Sequence, residues 1–330
     1  MLACGGGVPG KSMHFEGIYY NKEVQGWLKA VVPAVVGISS IYDYRYEQFN
    51  HQMVNNRLVP DSTSPTGYLL ATPAGSSGEA ISDETERVSG TGLIIYRDER
   101  HAVILTNAHL VTRPDTIQSF LKTADGSRTN IMAARAIKKR ITNYVIGQVN
   151  QYISAETLRT DTRIDLAIVL VSSSTALGSE FSRSLLRGNE LDWGDFVYVF
   201  GNPREIKQLT RGVVSLAPQK GFFIVDAVAR SGFSGGPVLV IRPDTGLHLA
   251  GMVSGVPSEK LPYVRPPNWA SPGQFLSQSA FGEATAEELD LIHYGTTYVI
   301  GAETIIKFLK DSSRALQARG ITLSIAYSGN

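Results

Sequence analysis

Short apolar runs separated by turn residues form the main pattern of the chain. Runs of this length, with β-branched residues inside and turn residues between them, predict β-strands. Because few helical segments separate the runs, the pattern predicts an all-β barrel or sandwich. The runs lie at residues 102–106, 164–171, 196–200, 212–216, 222–225, 237–241, 247–253 and 297–300.

Helical periodicity is clearest near the two ends of this pattern. Residues 24–40 read as a short amphipathic helix that Pro33 interrupts, followed by a β-rich strand. Residues 302–319 predict the clearest helix, and Gly320 directly after them is a helix stop signal. We therefore expect a C-terminal helix beside the strands.

Two long stretches lack a regular period. Residues 42–88 lose apolar periodicity and gather Asn, Ser, Thr, Pro and Gly, which predicts a long mobile surface loop rather than a second domain. Residues 115–160 combine a hairpin turn at 124–127 with segments of either type. The predicted organisation is a flexible leader at 1–23, one β-rich domain at 24–320 and a C-terminal tail at 321–330.

Composition limits the class of protein and its partners. The 330 residues are 43% hydrophobic, with 31 Lys and Arg against 30 Asp and Glu, which excludes a disordered chain and permits a large core. A net charge of +1 provides no field that would concentrate nucleic acid, so nucleic acid is not a predicted partner. No stretch of 18 or more apolar residues predicts a membrane-spanning helix.

The first residues contain two short motifs. Leu2-Ala3-Cys4 followed by glycines resembles the end of a bacterial lipoprotein signal whose upstream part is missing. That reading predicts a lipid anchor at Cys4 and an extracytoplasmic location, and the alternative is a flexible leader whose thiol has no role. Residues 5–12 also fit the phosphate-loop pattern, but no strand precedes them and no helical period follows, so nucleotide binding is not predicted.

Three chemically special residues each lie beside a predicted strand. His109 ends an apolar run, Asp165 leads into one, and Ser234 lies between glycines ahead of another. A serine hydroxyl becomes a nucleophile for acyl transfer when a histidine takes its proton and a carboxylate orients the imidazole. Flanking glycines would let the N–H groups of Gly232 and Ser234 converge on the developing oxyanion.

The motifs around these residues resemble those of a known family. Thr-Asn-Ala-His, Asp-Leu-Ala and Gly-Phe-Ser-Gly-Gly-Pro, in that order, resemble the three signatures of trypsin-like serine proteases. Further segments resemble the HtrA/Deg branch of that family, at residues 31–38, 89–95, 200–203, 210–215 and 298–305. The resemblance implies a chymotrypsin-like fold of two packed antiparallel β-barrels with the site in the cleft between them.

The resemblance also implies a reaction. It predicts hydrolysis of peptide bonds in proteins or peptides by His109, Asp165 and Ser234, through an acyl-enzyme and without metal or organic cofactor. Asp161 is the alternative carboxylate, but Asp165 directly precedes the strand, as the family's motif requires.

The chain departs from the HtrA/Deg branch at three points. We expect no PDZ domain, because the chain ends shortly after the closing helix. Residues 115–160 expand the family's short link between the histidine and the aspartate. Phe233 occupies the position where trypsin has an aspartate that receives a new N-terminus, so activation by propeptide cleavage is not expected.

The family pattern also suggests a specificity pocket. Its floor lies six positions before the serine, which here is Val228, and its wall is the strand containing Ser254, Gly255 and Val256, which would also pair with an extended substrate. An unpaired buried charge costs several kcal/mol, so a pocket without a carboxylate excludes Lys and Arg side chains. The resemblance therefore predicts cleavage after small or aliphatic residues.

Two other functions remain open at this stage. Residues 232–236 also fit the G-x-S-x-G elbow of α/β-hydrolase esterases, although a strand follows them and alternating β and α units are missing. A chaperone-like or adaptor protein could retain the same fold with little turnover, because a fold alone does not prove activity. The esterase would need a carboxylate and a histidine after the serine, and the candidates are Asp244, Asp290, His248 and His293.

Overall fold

The computed structural model describes most of the chain. The predicted leader up to residue 21, with Cys4, lies outside the described residues, as does the end of the predicted tail. Among the helices described, none is both long and apolar enough to cross a bilayer. The described residues are 22–55, 57–70, 79–122, 127–186, 190–219, 221–242, 245–265 and 285–323.

Strands make up most of the described structure. The helices are α1 Lys22–Val31, α2 Ala108–Val111, α3 Ala302–Asp311 and α4 Ser313–Gln317. The strands of the first half are β1 Val35–Phe49, β2 Met53–Val54, β3 Arg57–Leu58, β4 Glu79–Arg97, β5 Ala102–Thr106, β6 Thr116–Lys122, β7 Arg128–Ile146, β8 Tyr152–Asp161 and β9 Leu166–Val171. Those of the second half are β10 Phe196–Gly201, β11 Gln208–Gln219, β12 Phe222–Ala227, β13 Pro237–Arg242, β14 Gly246–Gly255, β15 Ser258–Arg265, β16 Thr285–Ile292 and β17 Thr297–Gly301.

Six of the first-half strands close into a barrel. They run in the order β1-β4-β5-β9-β8-β7, and the barrel closes because β1 pairs with both β4 and β7. Strand β6 extends the sheet beyond β7. Every residue of β5 and β9 is buried, which explains why these strands are continuous apolar runs in the sequence.

Six of the second-half strands form another closed barrel, in the order β10-β11-β12-β17-β14-β13, and β15 pairs with β16 in a separate sheet. The two barrels share one core cluster, to which Leu105 of β5, Leu239 of β13 and Ile305 of α3 all belong. The all-β class, the two packed antiparallel barrels and the C-terminal helix are therefore confirmed. The helix is interrupted at Ser312, whose hydroxyl donates to the Phe308 carbonyl at 2.7 Å, so α3 and α4 are separate.

The prediction of a loop at residues 42–88 is wrong at both ends of this range, because both ends are β-strands. Strands β1 and β4 pair without interruption from Val35 opposite Leu93 to Phe49 opposite Glu79, far beyond the barrel. Here Tyr42 and Tyr44 alternate with charged residues, and their rings are buried and stacked 6.2 Å apart. Tyrosines rather than aliphatic residues fill the buried face, so the sequence does not show the alternation of apolar and polar residues that is typical of a strand. The predicted mobility of this region stays a prediction.

The stretch at residues 115–160 is not simply an insertion. Strands β7 and β8 belong to the barrel itself, and only β6 and the first part of β7 extend beyond it. Strand β7 was hard to predict because Lys138, Lys139 and Arg140 fall within it. The turn predicted at 124–127 falls between β6 and β7, where residues 123–126 lie outside the described part of the chain.

Candidate active site

A histidine and an aspartate meet where two neighbouring strands of the first barrel end. His109 lies in α2, directly after β5, and Asp165 directly precedes β9. Because β5 and β9 pair, their ends bring the two residues together. His109 Nδ1 lies 2.8 Å from Asp165 Oδ2 and 3.0 Å from Oδ1.

Asp165 is held by four further hydrogen bonds. Its Oδ1 accepts the His109 backbone N–H at 3.0 Å, and its Oδ2 accepts the Ser254 hydroxyl at 3.1 Å. Its backbone carbonyl accepts the Asn107 side-chain amide at 2.9 Å and the Ala108 N–H at 3.3 Å. A carboxylate in this position keeps the proton on His109 Nδ1 and leaves Nε2 as a proton acceptor.

The sequence predicted Asp165 and left Asp161 as the alternative. Asp161 instead forms an ion pair with Arg163, with 3.2 Å between Arg163 Nη2 and Asp161 Oδ2. This pairing leaves Asp165 as the carboxylate beside His109. The role of Asn107 was missed, although it lies within the Thr-Asn-Ala-His motif.

Ser234 lies in a tight loop between β12 and β13 of the second barrel. The Gly235 N–H donates to the Val253 carbonyl at 2.9 Å, and the Val253 N–H donates to the Gly236 carbonyl at 2.9 Å. Gly235 has φ +80°, and a Cβ there would collide with the Thr91 carbonyl oxygen. Only glycine combines this conformation with so close an approach.

Thr91 of β4 links the serine loop to the first barrel. Its N–H donates to the Ser234 carbonyl at 2.8 Å, and its hydroxyl donates to the Gly232 carbonyl at 2.6 Å. The same hydroxyl accepts the Asn202 N–H at 2.8 Å. Thr91 is fully buried and lies between Gly90 and Gly92 in the sequence. This Gly-Thr-Gly pattern is visible in the sequence, but no role for its threonine was predicted.

Contacts between the two barrels place the Ser234 loop near the elements that carry His109 and Asp165. Ser254, on β14 of the second barrel, contacts Asp165 of the first, and its neighbour Val253 holds the Ser234 loop. On the other side, a Cβ on Gly90 would meet both the Leu110 side chain, next to His109, and the Ser234 carbonyl.

The N–H groups predicted to bind an oxyanion are those of Gly232 and Ser234. Within the described part of the chain, neither donates a hydrogen bond to another protein group. The Gly232 carbonyl accepts hydrogen bonds from the Thr91 hydroxyl and from the Asn202 N–H, the latter at 3.3 Å. These two bonds fix the orientation of the following peptide. Phe233 itself is buried in the core of the second barrel.

Val228 does not lie where the sequence predicted. Its side chain is 60% exposed, whereas Ala227 and Ala229 on either side are buried. The Ala229 N–H donates to the Ala227 carbonyl at 3.0 Å, a three-residue turn that directs Val228 outward. An exposed residue at the tip of a turn cannot form the floor of a pocket, so this assignment is corrected.

The predicted wall residues have an open edge. Strand β14 pairs with β13 up to Met252, whereas its pairing with β17 continues to Gly255. Among the described residues, the edge from Ser254 to Val256 that faces away from β17 has no partner strand, and a Cβ on Gly255 would contact nothing. An extended peptide could pair with this edge.

The α/β-hydrolase alternative is wrong. Ser234 is followed by β13 of a closed antiparallel barrel and not by a helix. Among the histidines proposed for that alternative, His248 is buried between the hydroxyls of Ser184 and Thr245, each 2.7 Å from a ring nitrogen. Burial lowers the pKa of His248, which is thus a core residue held by two hydroxyls.

Comparison with known proteins bears on this site. Residues 90–242 match the family model of the trypsin-like peptidase domain, and this range includes His109, Asp165 and Ser234. Comparison with curated proteins gives no match. Among solved structures the chain is similar to the HtrA-type protease AlgW with a decapeptide, with 16% identity and a TM-score of 0.45 over 87% of this chain and 66% of that one. The chain thus spans just under two thirds of the length of that protein.

The family match confirms the resemblance predicted from the sequence and supports its enzyme class, the serine endopeptidases. It also agrees with the two closed barrels. Residues 90–242 are therefore similar to a trypsin-like peptidase domain, and the two closed antiparallel barrels form a chymotrypsin-like fold.

Proposed function

We propose that the chain is a serine endopeptidase that cleaves extended protein or peptide segments through His109, Asp165 and Ser234. The observation that carries the proposal is the contact of 2.8 Å between His109 and Asp165, opposite a serine loop that both barrels hold. The family match over residues 90–242 supports it independently.

The geometry suggests the following reaction. The Ser234 hydroxyl attacks the peptide carbonyl while His109 Nε2 takes its proton, and Asp165 stabilises the resulting imidazolium. The N–H groups of Gly232 and Ser234 stabilise the oxyanion, and loss of one such donor costs about 2.7–4 kcal/mol. His109 then donates the proton to the leaving amine, and water releases the acyl group from Ser234 by the reverse steps.

The substrate class follows from the open edge at Ser254–Val256. Backbone hydrogen bonds to this edge require an extended chain, so unfolded segments are preferred to helices and compact turns. The preference for small or aliphatic residues at the cleaved position rests on the family resemblance alone, and profiling with a peptide library tests it.

Replacement of the nucleophile tests the proposal. Ser234→Ala should lower the turnover of casein by more than about 10³-fold, because the remaining site retains only oxyanion and binding contributions. It should also abolish covalent labelling by a fluorophosphonate. Ser231→Ala, three residues earlier on the exposed side of the same loop, is the matched control and should retain both activities.

The outcomes separate the candidate functions. A parent protein that is folded but does not label has an inactive serine, as expected for a chaperone-like or adaptor protein. Turnover that persists in Ser234→Ala, or that chelators abolish in the parent, contradicts the proposed mechanism.

A further inference from the structure

The far part of β4 has a free edge. Strand β4 pairs with β1 along residues 79–93, but β5 pairs with β4 only from Leu93 onward. In the part of the chain that the structure describes, residues 79–92 therefore have no strand on the side away from β1.

This edge begins at the candidate nucleophile. The Thr91 N–H points away from β1 and donates to the Ser234 carbonyl at 2.8 Å. In an antiparallel ladder, the N–H and C=O groups of alternate residues point to the same side. The register with β1 is unbroken over this stretch, so the same outward orientation holds at Ser89, Arg87, Thr85, Asp83 and Ile81.

We infer that the edge of β4 from Ile81 to Arg87 binds the part of the substrate C-terminal to the cleaved bond, as an added antiparallel strand. The inference rests on the proposed function. Because the Ser254–Val256 edge would take the substrate on the N-terminal side of the bond, the C-terminal side leaves Ser234 along β4. At about 3.4 Å per residue, the edge from Thr91 to Asp83 spans roughly 27 Å.

The charges on this edge indicate the chemistry of the bound strand. Glu86 pairs with Arg113 at 3.5 Å, and the Arg87 guanidinium lies 5.8 Å from the Tyr152 ring centroid. Asp83 and Glu84 are exposed, and within the described residues neither forms an ion pair. Charges on a free edge discourage indiscriminate pairing of apolar strands. A strand with Lys or Arg about eight residues after the cleaved bond would neutralise the two acids.

Peptides of two lengths test this binding mode. Both are internally quenched and share the best cleaved sequence from a peptide library. One ends about three residues after the cleaved bond, and the other continues for about ten residues with two lysines opposite Asp83 and Glu84. We expect kcat/KM to be about tenfold higher for the long peptide, equivalent to about 1.4 kcal/mol.

Backbone N-methylation then tests strand pairing directly. Methylation of alternate residues in one register should abolish the gain, because it removes the N–H groups that face β4. Methylation of the intervening residues should leave the gain intact. If methylation in both registers lowers the kcat/KM gain of the long peptide equally, or if methylation in neither register lowers it, the inference is overturned.

Variants of the chain complete the test. Thr85→Pro removes an outward N–H at an edge position where proline is tolerated, and should reduce the ratio of long to short kcat/KM to about one. Asp83→Lys should reduce the ratio for the lysine peptide and raise it for the matching glutamate peptide. Asp311→Lys, an equal charge change at the exposed end of α3, is the control and should not alter the ratio.

The two proposals fail in different ways. If the short peptide is cleaved but the parent shows a ratio near one, the edge proposal is overturned and the proposed function stands. If neither peptide is cleaved and fluorophosphonate does not label Ser234, the proposed function is overturned, and the edge proposal with it. If Thr85→Pro does not fold, cleavage of the N-methylated peptides by the parent protein still tests whether the substrate pairs with β4.

Discussion

At the scale of single residues, three of the described non-glycine residues with positive φ belong to the candidate site or to the segment that contacts its serine loop. Asp165 has φ +57° although it is not glycine, and Arg204 and Glu205, just after Asn202, have φ +52° and +64°. Each such conformation costs about 1–3 kcal/mol and persists where surrounding contacts over-determine it. For Asp165 those contacts are the hydrogen bonds from His109, Asn107 and Ser254.

The Thr91 hydroxyl should act as a positioning group for the serine loop. Thr91→Val keeps the shape but removes the shorter hydrogen bond to the buried Gly232 carbonyl and the nearer of the two acceptors of the Asn202 N–H, a loss of about 1–3 kcal/mol. We expect kcat/KM and the rate of fluorophosphonate labelling to fall together, about 10- to 100-fold. Thr91→Ser keeps the hydroxyl and should restore both rates; if it is as impaired as Thr91→Val, packing rather than hydrogen bonding is responsible.

At the scale of elements, an ion pair between Asp195 and Arg242 stabilises the ends of two paired strands. Asp195 precedes β10 and Arg242 ends β13, and these two strands close the second barrel. The pair is bidentate, with both Arg242 Nη1 to Asp195 Oδ1 and Nη2 to Oδ2 at 2.8 Å. The hydrogen bonds from Arg242 hold the pKa of the Asp195 carboxyl below its usual range.

This pair predicts a pH dependence of stability. Because the pKa of Asp195 is lower in the folded state, its contribution is complete above the unfolded value of about 3.9 and is lost as the pH falls through the folded value. Asp195→Asn should lower the free energy of unfolding by about 1–3 kcal/mol at pH 7. The difference from the parent should shrink below pH 4. Urea unfolding at several pH values measures it, with the exposed Asp311→Asn as control; a difference independent of pH would contradict the argument.

At the scale of the whole molecule, one hydrophobic cluster joins the two barrels with α1, α3 and α4. Val31 of α1, Leu105 of β5, Leu239 of β13 and Ile305 of α3 all belong to it. Because the candidate site lies between the barrels, its geometry depends on this shared core. The barrels should therefore unfold as one cooperative unit.

Ile305→Ala tests that cooperativity. Ile305 is fully buried, so the truncation should cost about 2–5 kcal/mol through lost burial and a cavity. Hydrogen exchange should show equal loss of protection in β5 of the first barrel and β13 of the second. Glu303→Ala, on the exposed face of α3, should leave protection in both strands unchanged. Loss of protection in one barrel alone would show that the barrels are independent.

Much of the fold and of the candidate site could be predicted from local sequence. Strands β5, β9 and β13 are apolar because they are buried, and His109, Asp165 and Ser234 stand beside them in recognisable motifs. Burial on both faces leaves an uninterrupted apolar run, which needs no tertiary information to recognise. The class of fold and the candidate site residues could therefore be predicted from the sequence itself.

The remaining features depend on contacts that no local pattern contains. The long pairing of β1 with β4 was hidden because tyrosines and charged residues alternate there, and Val228 is exposed because of a turn rather than its hydrophobicity. Thr91 acquires its role from Gly232, 141 positions away in the chain. Only the closing of the two barrels brings such residues together, because hydrogen bonds and packing act through space, whereas sequence motifs report only neighbours along the chain.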